Sequence, residues 1–222
     1  FMHSSIVNLI SIEKEIQLKI NKINAARHKP KIIAVSKNFK MNKIAPLIEY
    51  GHTNFGENKV QEALAKWSEI KNTNDKIKLH LLGKLQSNKV KYVIPLFDYI
   101  HTLDSLKLAK KISQEQIKRK KNLKIFIQIN LGREDQKNGI LIEQVDSFYK
   151  QCIDDLGLNI VGLMCLPPND SNSIKYFLEI SKLAKKLNLK ELSMGMSGDY
   201  LDAIEANSTY LRIGSKIFGD RN

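Results

Sequence analysis

The feature that most constrains the fold is a regular alternation of short apolar runs with longer amphipathic stretches along the whole chain. Continuous apolar runs bounded by polar residues are typical of strands that are buried on both faces. The predicted strands cover 32–35, 53–56, 78–82, 99–103, 124–130, 160–166, 191–194 and 210–213. The predicted helices between them cover 42–50, 58–70, 87–93, 105–118, 142–154, 171–187 and 199–206. Eight strands that alternate with helices favour an α/β fold with a closed parallel sheet, the (β/α)8 or TIM barrel, over an open doubly wound sheet.

One further helix is predicted ahead of the first strand, over residues 4–27. Its apolar residues recur at near-helical spacing: Ile6, Leu9, Ile10, Ile16, Ile20 and Ile23. After the last strand only residues 215–222 remain, and Gly219 interrupts them, so a full eighth helix cannot form there. Since soluble proteins rarely expose a large apolar patch, we expect the N-terminal helix to cover that gap and close the ring. No linker divides the chain, and we predict a single domain over residues 1–222.

The formal net charge of +13 raises the question of nucleic-acid binding. Only five of the 36 basic residues are Arg, and the lysines are spread over every segment rather than gathered into a stripe with aromatic residues. We therefore predict no nucleic-acid partner. No apolar run approaches membrane-spanning length and no signal pattern opens the chain, so we expect a soluble, cytoplasmic protein with no membrane partner. Cys152 and Cys165 lack metal or redox spacing, and we predict packed thiols and no metal site.

Two glycine- and serine-bearing turns follow the last two predicted strands. The first lies in Leu192–Asp199 (LSMGMSGD) and the second in Tyr210–Gly219 (YLRIGSKIFG). Ser197, Gly198, Gly214 and Ser215 supply hydroxyl donors and exposed backbone N–H groups, which are the parts of a phosphate cradle. TIM barrels frequently bind phosphate at the loops after strands 7 and 8. The sequence therefore predicts a phosphoester site at this end of the barrel.

Lys37 follows the first predicted strand and is expected at the mouth of the barrel, opposite the cradle. Most of the lysines in this chain must face solvent, so its position alone singles it out. A partly desolvated amine there could form a Schiff base. A lysine opposite a phosphate cradle suits a phosphorylated aldehyde, and both pyridoxal 5′-phosphate (PLP) and a sugar phosphate in a Schiff-base aldolase meet that description.

Arg212 discriminates between these ligands. Standing two residues before Gly214, it could lie under a pyridine ring and donate a hydrogen bond to the ring nitrogen. A guanidinium can only donate, so the nitrogen would be held unprotonated and the ring would be a weak electron sink. The competing interpretation is a salt bridge at the barrel end with Glu57 or Glu191.

Six stretches together closely resemble the PLP homeostasis protein family, over about residues 31–221. They are Ala34–Lys37 (AVSK), Phe55–Asn58 (FGEN), His80–Lys89 (HLLGKLQSNK), Gly162–Met164 (GLM), Leu192–Asp199 and Arg212–Arg221 (RIGSKIFGDR). The resemblance implies a barrel of the alanine racemase N-terminal-domain type. One departure is Asn207, where the family usually has Gly, and Asn also tolerates left-handed backbone geometry.

The resemblance also implies the roles of individual residues. Lys37 would be the lysine that holds PLP as a covalent aldimine, and Arg212 would be the partner of the ring nitrogen. Ser197, Gly198, Gly214 and Ser215 would bind the phosphate. Asn58 and Met164 would line the ring pocket.

The function implied is PLP binding in intracellular vitamin B6 homeostasis and supply, without catalysis. The partners implied are PLP-requiring apoenzymes, and we expect a monomer. Alanine racemases carry a second, mostly β domain with an acid/base tyrosine, for which 222 residues leave no room. Two alternatives stay open: a small PLP-dependent racemase or lyase with Lys37 as base, and a phosphosugar-binding barrel without PLP.

Overall fold

The computed structural model describes residues 2–23, 29–132, 138–168 and 172–219. Its centre is a parallel sheet that closes on itself. The strand order is β4-β3-β2-β1-β9-β8-β7-β5, and pairing between β4 and β5 completes the ring. Every strand pairing is parallel. Eight parallel strands with helices between them form a (β/α)8 barrel.

The elements have the following bounds. The strands are β1 Lys31–Val35, β2 Asn54–Glu57, β3 Lys78–Leu81, β4 Tyr99–Leu103, β5 Lys124–Asn130, β6 Ile140–Leu141, β7 Ile160–Cys165, β8 Glu191–Ser193 and β9 Tyr210–Ile213. The α-helices are α1 Ser4–Lys22, α2 Met41–Glu49, α3 Val60–Thr73, α4 Val90–Leu96, α5 Leu106–Arg119, α6 Val145–Lys150, α7 Ser173–Lys186, α8 Tyr200–Glu205 and α9 Ser215–Phe218. Two 3₁₀ turns, Ser87–Lys89 and Ile142–Gln144, lead into α4 and α6, and a π-helical turn, Gln151–Asp155, follows α6.

This architecture confirms the predicted barrel. All eight predicted strands are present, with bounds within one residue of those expected. The two-residue strand β6 was not predicted; it pairs with the C-terminal end of β5. Asn207 adopts the left-handed backbone expected of the residue that replaces Gly, with a φ of 68°.

Alternation along each strand decides which side chains enter the barrel. In β9, Tyr210 packs in an inner cluster with Ile33, Phe126 and Met164, whereas Leu211 belongs to the core between barrel and helices. Successive side chains of a strand point to opposite faces. Arg212, two residues after Tyr210, therefore points into the barrel, nearer to its C-terminal end.

Helix α1 lies against α2, α8 and α9, in the gap left by the short last helix. Its buried stripe is Leu9, Ile12, Ile16 and Ile20, which recur at helical spacing. Ile12 is buried where Ile10 was predicted, because Ile10 lies on the flank of this stripe and is only half-buried. Ile6 and Ile23 lie at the helix ends and are half-buried against the core. The helix as described ends at Lys22, and residues 24–27 of its predicted span lie outside the described residues.

Within the described ranges, no helix combines the length and apolar character needed to cross a bilayer. Cys152 and Cys165 are both buried and unpaired with each other. Burial raises the pKa of each thiol to about 12. The part of the chain that the structure describes also contains no cluster of three or more His, Cys, Asp or Glu side chains arranged for a metal ion.

Candidate ligand site at the C-terminal mouth of the barrel

A cavity of about 340 Å³ opens at the C-terminal ends of the barrel strands. Seven of the eight predicted site residues line it: Lys37, Asn58, Ser197, Gly198, Arg212, Gly214 and Ser215. The remaining lining residues are apolar: Val35, Leu82, Leu166 and Met196. The volume lies within the range of small-molecule sites. The geometry therefore brings together predicted site residues that are up to 178 positions apart in the sequence, Lys37 and Ser215.

One wall of the cavity is formed by the turns after β8 and β9. The backbone N–H groups of Ser197, Gly198, Gly214 and Ser215 have no hydrogen-bond partner among the described residues. In the first turn Gly195 has a φ of +89°, and a Cβ there would lie 2.6 Å from the Cβ of Ala203. Only glycine fits that close approach of the turn to α8. Unpaired N–H groups beside two serine hydroxyls form a concave surface that suits an anion.

Lys37 lines the cavity from the turn after β1, the strand that pairs with β9. Its turn therefore adjoins the Gly214 turn, which lies against Val35, and, contrary to the expectation from the sequence, does not face it across the barrel. The turn that carries Lys37 is held by Lys66 of α3, whose Nζ donates to the carbonyl oxygens of Ser36 at 2.8 Å and of Phe39 at 3.2 Å. The same Nζ lies 2.7 Å from Oε1 of Glu57. That buried oxygen also accepts from Ser36 Oγ at 2.7 Å and from Trp67 Nε1 at 3.0 Å. A buried ionic network thus fixes the backbone on which Lys37 is carried.

Arg212 forms the floor of the cavity and is 5% exposed. Its Nη1 donates to Ser193 Oγ at 2.7 Å and to the Ser193 carbonyl oxygen, and its Nη2 donates to the Cys165 carbonyl oxygen at 2.9 Å. Within the described ranges, no carboxylate pairs with it, which excludes the salt bridges to Glu57 or Glu191 considered from the sequence. Burial lowers the pKa of the guanidinium. Nε–H and one Nη2–H have no protein partner among the described residues.

Of the two residues predicted to line the ring pocket, Asn58 lines the cavity and Met164 does not. Asn58 lines the cavity together with Lys37, and its backbone carbonyl is packed against Gly83, where a Cβ would approach the backbone oxygen of Asn58 to 2.1 Å. Met164 is 1% exposed and lies in the inner cluster with Phe126 and Tyr210, not among the described cavity-lining residues. Leu82, which does line the cavity, packs against that cluster.

Sequence reasoning missed the apolar lip of the cavity and the supports beneath it. Leu166 and Met196 are 42% and 41% exposed at the lip. Both lie within stretches already singled out in the sequence, Leu166 as the last residue of the sixth predicted strand and Met196 inside LSMGMSGD. Ser193 lies in the same stretch, and Lys66 lies in the third helix. Their roles in holding Arg212 and the Lys37 turn could not be predicted, because their partners are distant in the sequence.

A larger cavity of about 730 Å³ opens beside this one, between the ends of β3 and β4. It is lined by Lys84, Ser87, Asp104, Ser105, Lys107 and neighbouring residues. None of the eight predicted site residues reaches it. The smaller cavity is the candidate site because it alone of the two joins the lysine, the buried arginine and the unpaired N–H groups.

Comparison with known proteins places the chain in a class. Residues 12–222 match the model of the family described as the alanine racemase N-terminal domain. Alanine racemase from Corynebacterium glutamicum has the same barrel, with a TM-score of 0.65 over 86% of this chain and 56% of its own. At 16% identity that likeness concerns the fold alone.

Relatives with higher sequence identity define the family more narrowly. The pyridoxal phosphate homeostasis protein of Haemophilus influenzae is 34% identical over 97% of this chain and 95% of its own length. PipY of Synechococcus elongatus, in its structure with PLP bound, has a TM-score of 0.80 at 31% identity, over 92% of this chain and 100% of PipY. The chain belongs to the pyridoxal phosphate homeostasis protein family.

Proposed function

We propose that this protein binds PLP in the 340 Å³ cavity as a Schiff base with Lys37, and that it acts in intracellular PLP homeostasis and supply. The observation that carries the proposal is the meeting of three groups in one cavity. These are an amine, a buried guanidinium with uncommitted donors, and a set of unpaired backbone N–H groups. The names of the relatives and the PLP in the PipY structure support it.

The residues present fit this ligand. The N–H groups of Ser197, Gly198, Gly214 and Ser215 and the two serine hydroxyls would bind the phosphate. Asn58 and the apolar side chains of Val35 and Leu82 would flank the ring, with Met164 in the layer beneath. The phosphate and the ring of the ligand would thus each meet complementary groups in the cavity.

Lys37 would supply the covalent link. Its deprotonated Nζ would attack the aldehyde carbon, a C=N bond would form, and the aldehyde oxygen would leave as water. The ionic network of Lys66 and Glu57 would hold the turn that carries Lys37, so that the amine stays in the cavity. PLP supplies an electron sink when bound.

Arg212 would donate to the ring nitrogen and keep it unprotonated, because a guanidinium has donors and no acceptor. An unprotonated nitrogen weakens the electron sink, which disfavours chemistry through a carbanion. Apart from Lys37 and Arg212, no ionisable side chain among the described residues lines the cavity. The lining therefore offers no second acid or base opposite Lys37, and this observation favours a carrier over a racemase or lyase.

A titration of the purified protein with PLP tests the proposal. We expect a visible absorption band that saturates and that borohydride bleaches, and no interconversion of L- and D-amino acids by the loaded protein. A protein that gains no colour would contradict PLP binding and favour a phosphosugar ligand. A coloured protein that racemises amino acids would favour the catalytic alternative.

We also propose a cellular location, an oligomeric state and a class of partner. We place the protein in the cytoplasm, as a monomer that exchanges PLP with apoenzymes. Light scattering with and without PLP tests the monomer, since a dimer would double the measured mass.

A further inference from the structure

Five polar side chains, from Arg212 at the floor of the proposed site to Asn54, form one continuous chain of hydrogen bonds through the middle of the barrel. Arg212 Nη1 is 2.7 Å from Ser193 Oγ, and Ser193 Oγ is 2.8 Å from His101 Nδ1. His101 Nε2 is 2.9 Å from His80 Nδ1, and His80 Nε2 is 3.1 Å from Asn54 Oδ1 at the start of β2. Ser193, His80 and His101 are all 0% exposed. The chain runs from the floor of the cavity to the N-terminal end of the barrel.

The direction of these hydrogen bonds follows from Arg212. Since a guanidinium can only donate, Ser193 Oγ accepts from it, and the serine hydroxyl hydrogen is left for His101 Nδ1. His101 then donates through Nε2–H to His80 Nδ1, and His80 donates through Nε2–H to Asn54 Oδ1. The Asn54 amide is oriented for this, because its Nδ2 donates to Thr53 Oγ1 at 3.1 Å.

If these hydrogen bonds ran in the opposite direction, the hydroxyl hydrogen of Ser193 would be left without a partner in the described part of the chain. If both histidines carried their hydrogen on Nδ1, Ser193 Oγ would accept from Arg212 and from His101 at once. Its own hydrogen would then have no partner among the described residues, in a fully buried position, at a cost of about 1–3 kcal/mol. Burial also lowers the pKa of both histidines well below its usual value, so that both rings are neutral.

We propose that Ser193, His101 and His80 are positioning residues that act as one directional chain of hydrogen bonds to hold the Arg212 guanidinium at the floor of the cavity. Each neutral dipole in the chain turns its negative end towards Arg212. The chain thus stabilises a buried positive charge without a carboxylate, which would itself compete for the donors that face the ligand. The remaining guanidinium N–H groups stay available. The consequence for PLP rests on the proposed function, whereas the chain itself does not.

The first test uses the protein without PLP. Long-range proton–nitrogen NMR of the 15N-labelled protein reads the tautomer of each histidine, and His101→Phe assigns the His101 signals. We expect the Nε2–H tautomer at both His80 and His101. The Nδ1–H tautomer, or a doubly protonated ring, at either position would overturn the proposal.

The second test asks whether the chain positions Arg212. We expect Ser193→Ala to speed hydrogen exchange of the Arg212 guanidinium and to weaken PLP binding, each roughly tenfold, as is typical for a lost hydrogen bond to a charged group. His101→Asn keeps an acceptor for Ser193 but cannot reach His80, so a smaller change in the same direction is expected. Tyr210→Phe is the matched control, because its hydroxyl is buried in the same barrel and bonds Tyr99 at 3.1 Å, outside the chain.

The outcomes separate this proposal from the proposed function. Guanidinium exchange that is as slow in Ser193→Ala as in the wild type would overturn the positioning role. Slow exchange in the wild type and fast exchange in Ser193→Ala, in a protein that never binds PLP, would support the chain and contradict the proposed function.

Discussion

Arg212 is a buried cation whose partners in the described structure are all neutral. Burying a charge is costly unless hydrogen bonds replace its hydration. Here the carbonyl oxygens of Ser193 and Cys165 and the hydroxyl of Ser193 do so. The same arrangement leaves two N–H groups uncommitted at the cavity. A residue held in this way for structural reasons alone would not need to keep donors free.

Arg212→Glu tests that interpretation. A carboxylate at this position would accept a hydrogen from the ring nitrogen and favour its protonation, so we expect the spectrum of bound PLP to shift and affinity to fall at least about tenfold. Absorption spectra and equilibrium binding measure both effects. Arg212→Lys, which keeps the charge without the planar fork, is the control. An unchanged spectrum and affinity in the Glu variant would show that Arg212 does not contact the ring.

Lys37→Ala separates the covalent link from the rest of the site. The phosphate contacts remain, so we expect PLP to bind more weakly, by a factor on the order of 10 or more, and without a borohydride-sensitive band. Lys84→Ala, which alters the neighbouring cavity, should leave the band intact. A band that survives in the Lys37 variant would assign the link to another lysine.

At the scale of elements, the turn after β1 depends on a contact with α3. Lys66 is 12% exposed in its side chain, and its partner Glu57 is fully buried, with Oε2 lacking any hydrogen-bond partner among the described residues. Removing one member of a buried ion pair leaves the other charge uncompensated. The two residues should therefore be coupled in stability.

Lys66→Met is expected to lower the free energy of unfolding by about 3–5 kcal/mol. The double variant Lys66→Met, Glu57→Gln should recover most of that loss, because the buried charge is gone while Ser36 and Trp67 keep an acceptor. Urea denaturation of the two single variants and the double variant measures the coupling. Additive losses in the double variant would show that the pair does not act as a unit.

Helix α1 is the other element on which the barrel depends. Ile16 is 0% exposed in the contact with the barrel helices, and Leu18 on the same helix is 69% exposed. We expect Ile16→Ala to cost about 2–5 kcal/mol in unfolding free energy. Leu18→Ala should stay within about 0.5 kcal/mol of the wild type.

Equal effects of these two substitutions would show that α1 is an appendage. A large difference between them would support our proposal that α1 and the barrel are one domain. Two polar contacts between α1 and α9 support the same proposal. Lys216 of α9 lies 2.8 Å from Glu15 of α1, and Asn8 of α1 donates to the Ile217 carbonyl oxygen at 2.9 Å.

At the scale of the whole molecule, the barrel could be predicted because its strands are buried on both faces and so remain as continuous apolar runs. The location of the site followed from the same pattern, since the residues just after the strands meet at one end of a parallel barrel. Lys37, Ser197 and Gly214 were found in this way, and the structure places all three in one cavity.

The buried face of α1 and the polar contacts inside the barrel could not be predicted, because they depend on contacts between residues that are distant in the sequence. Ile12 and Ile10 of α1 have the same side chain, and only the phase of the helix against α8 and α9 decides which is buried. His101 and Ser193 are 92 residues apart in the sequence, and His80 and His101 are 21 apart. Each of these polar residues in an apolar strand acquires its partner only when the barrel closes.

The most direct test of the account is to find where PLP attaches. The protein is incubated with PLP, reduced with borohydride and digested, and the modified peptides are identified by mass spectrometry. Pyridoxal, which lacks the phosphate, serves as the control and should modify the protein far less. The account predicts one predominant modified residue, Lys37, among the 31 lysines of the chain. Modification spread over surface lysines, or centred on any lysine other than Lys37, would contradict it.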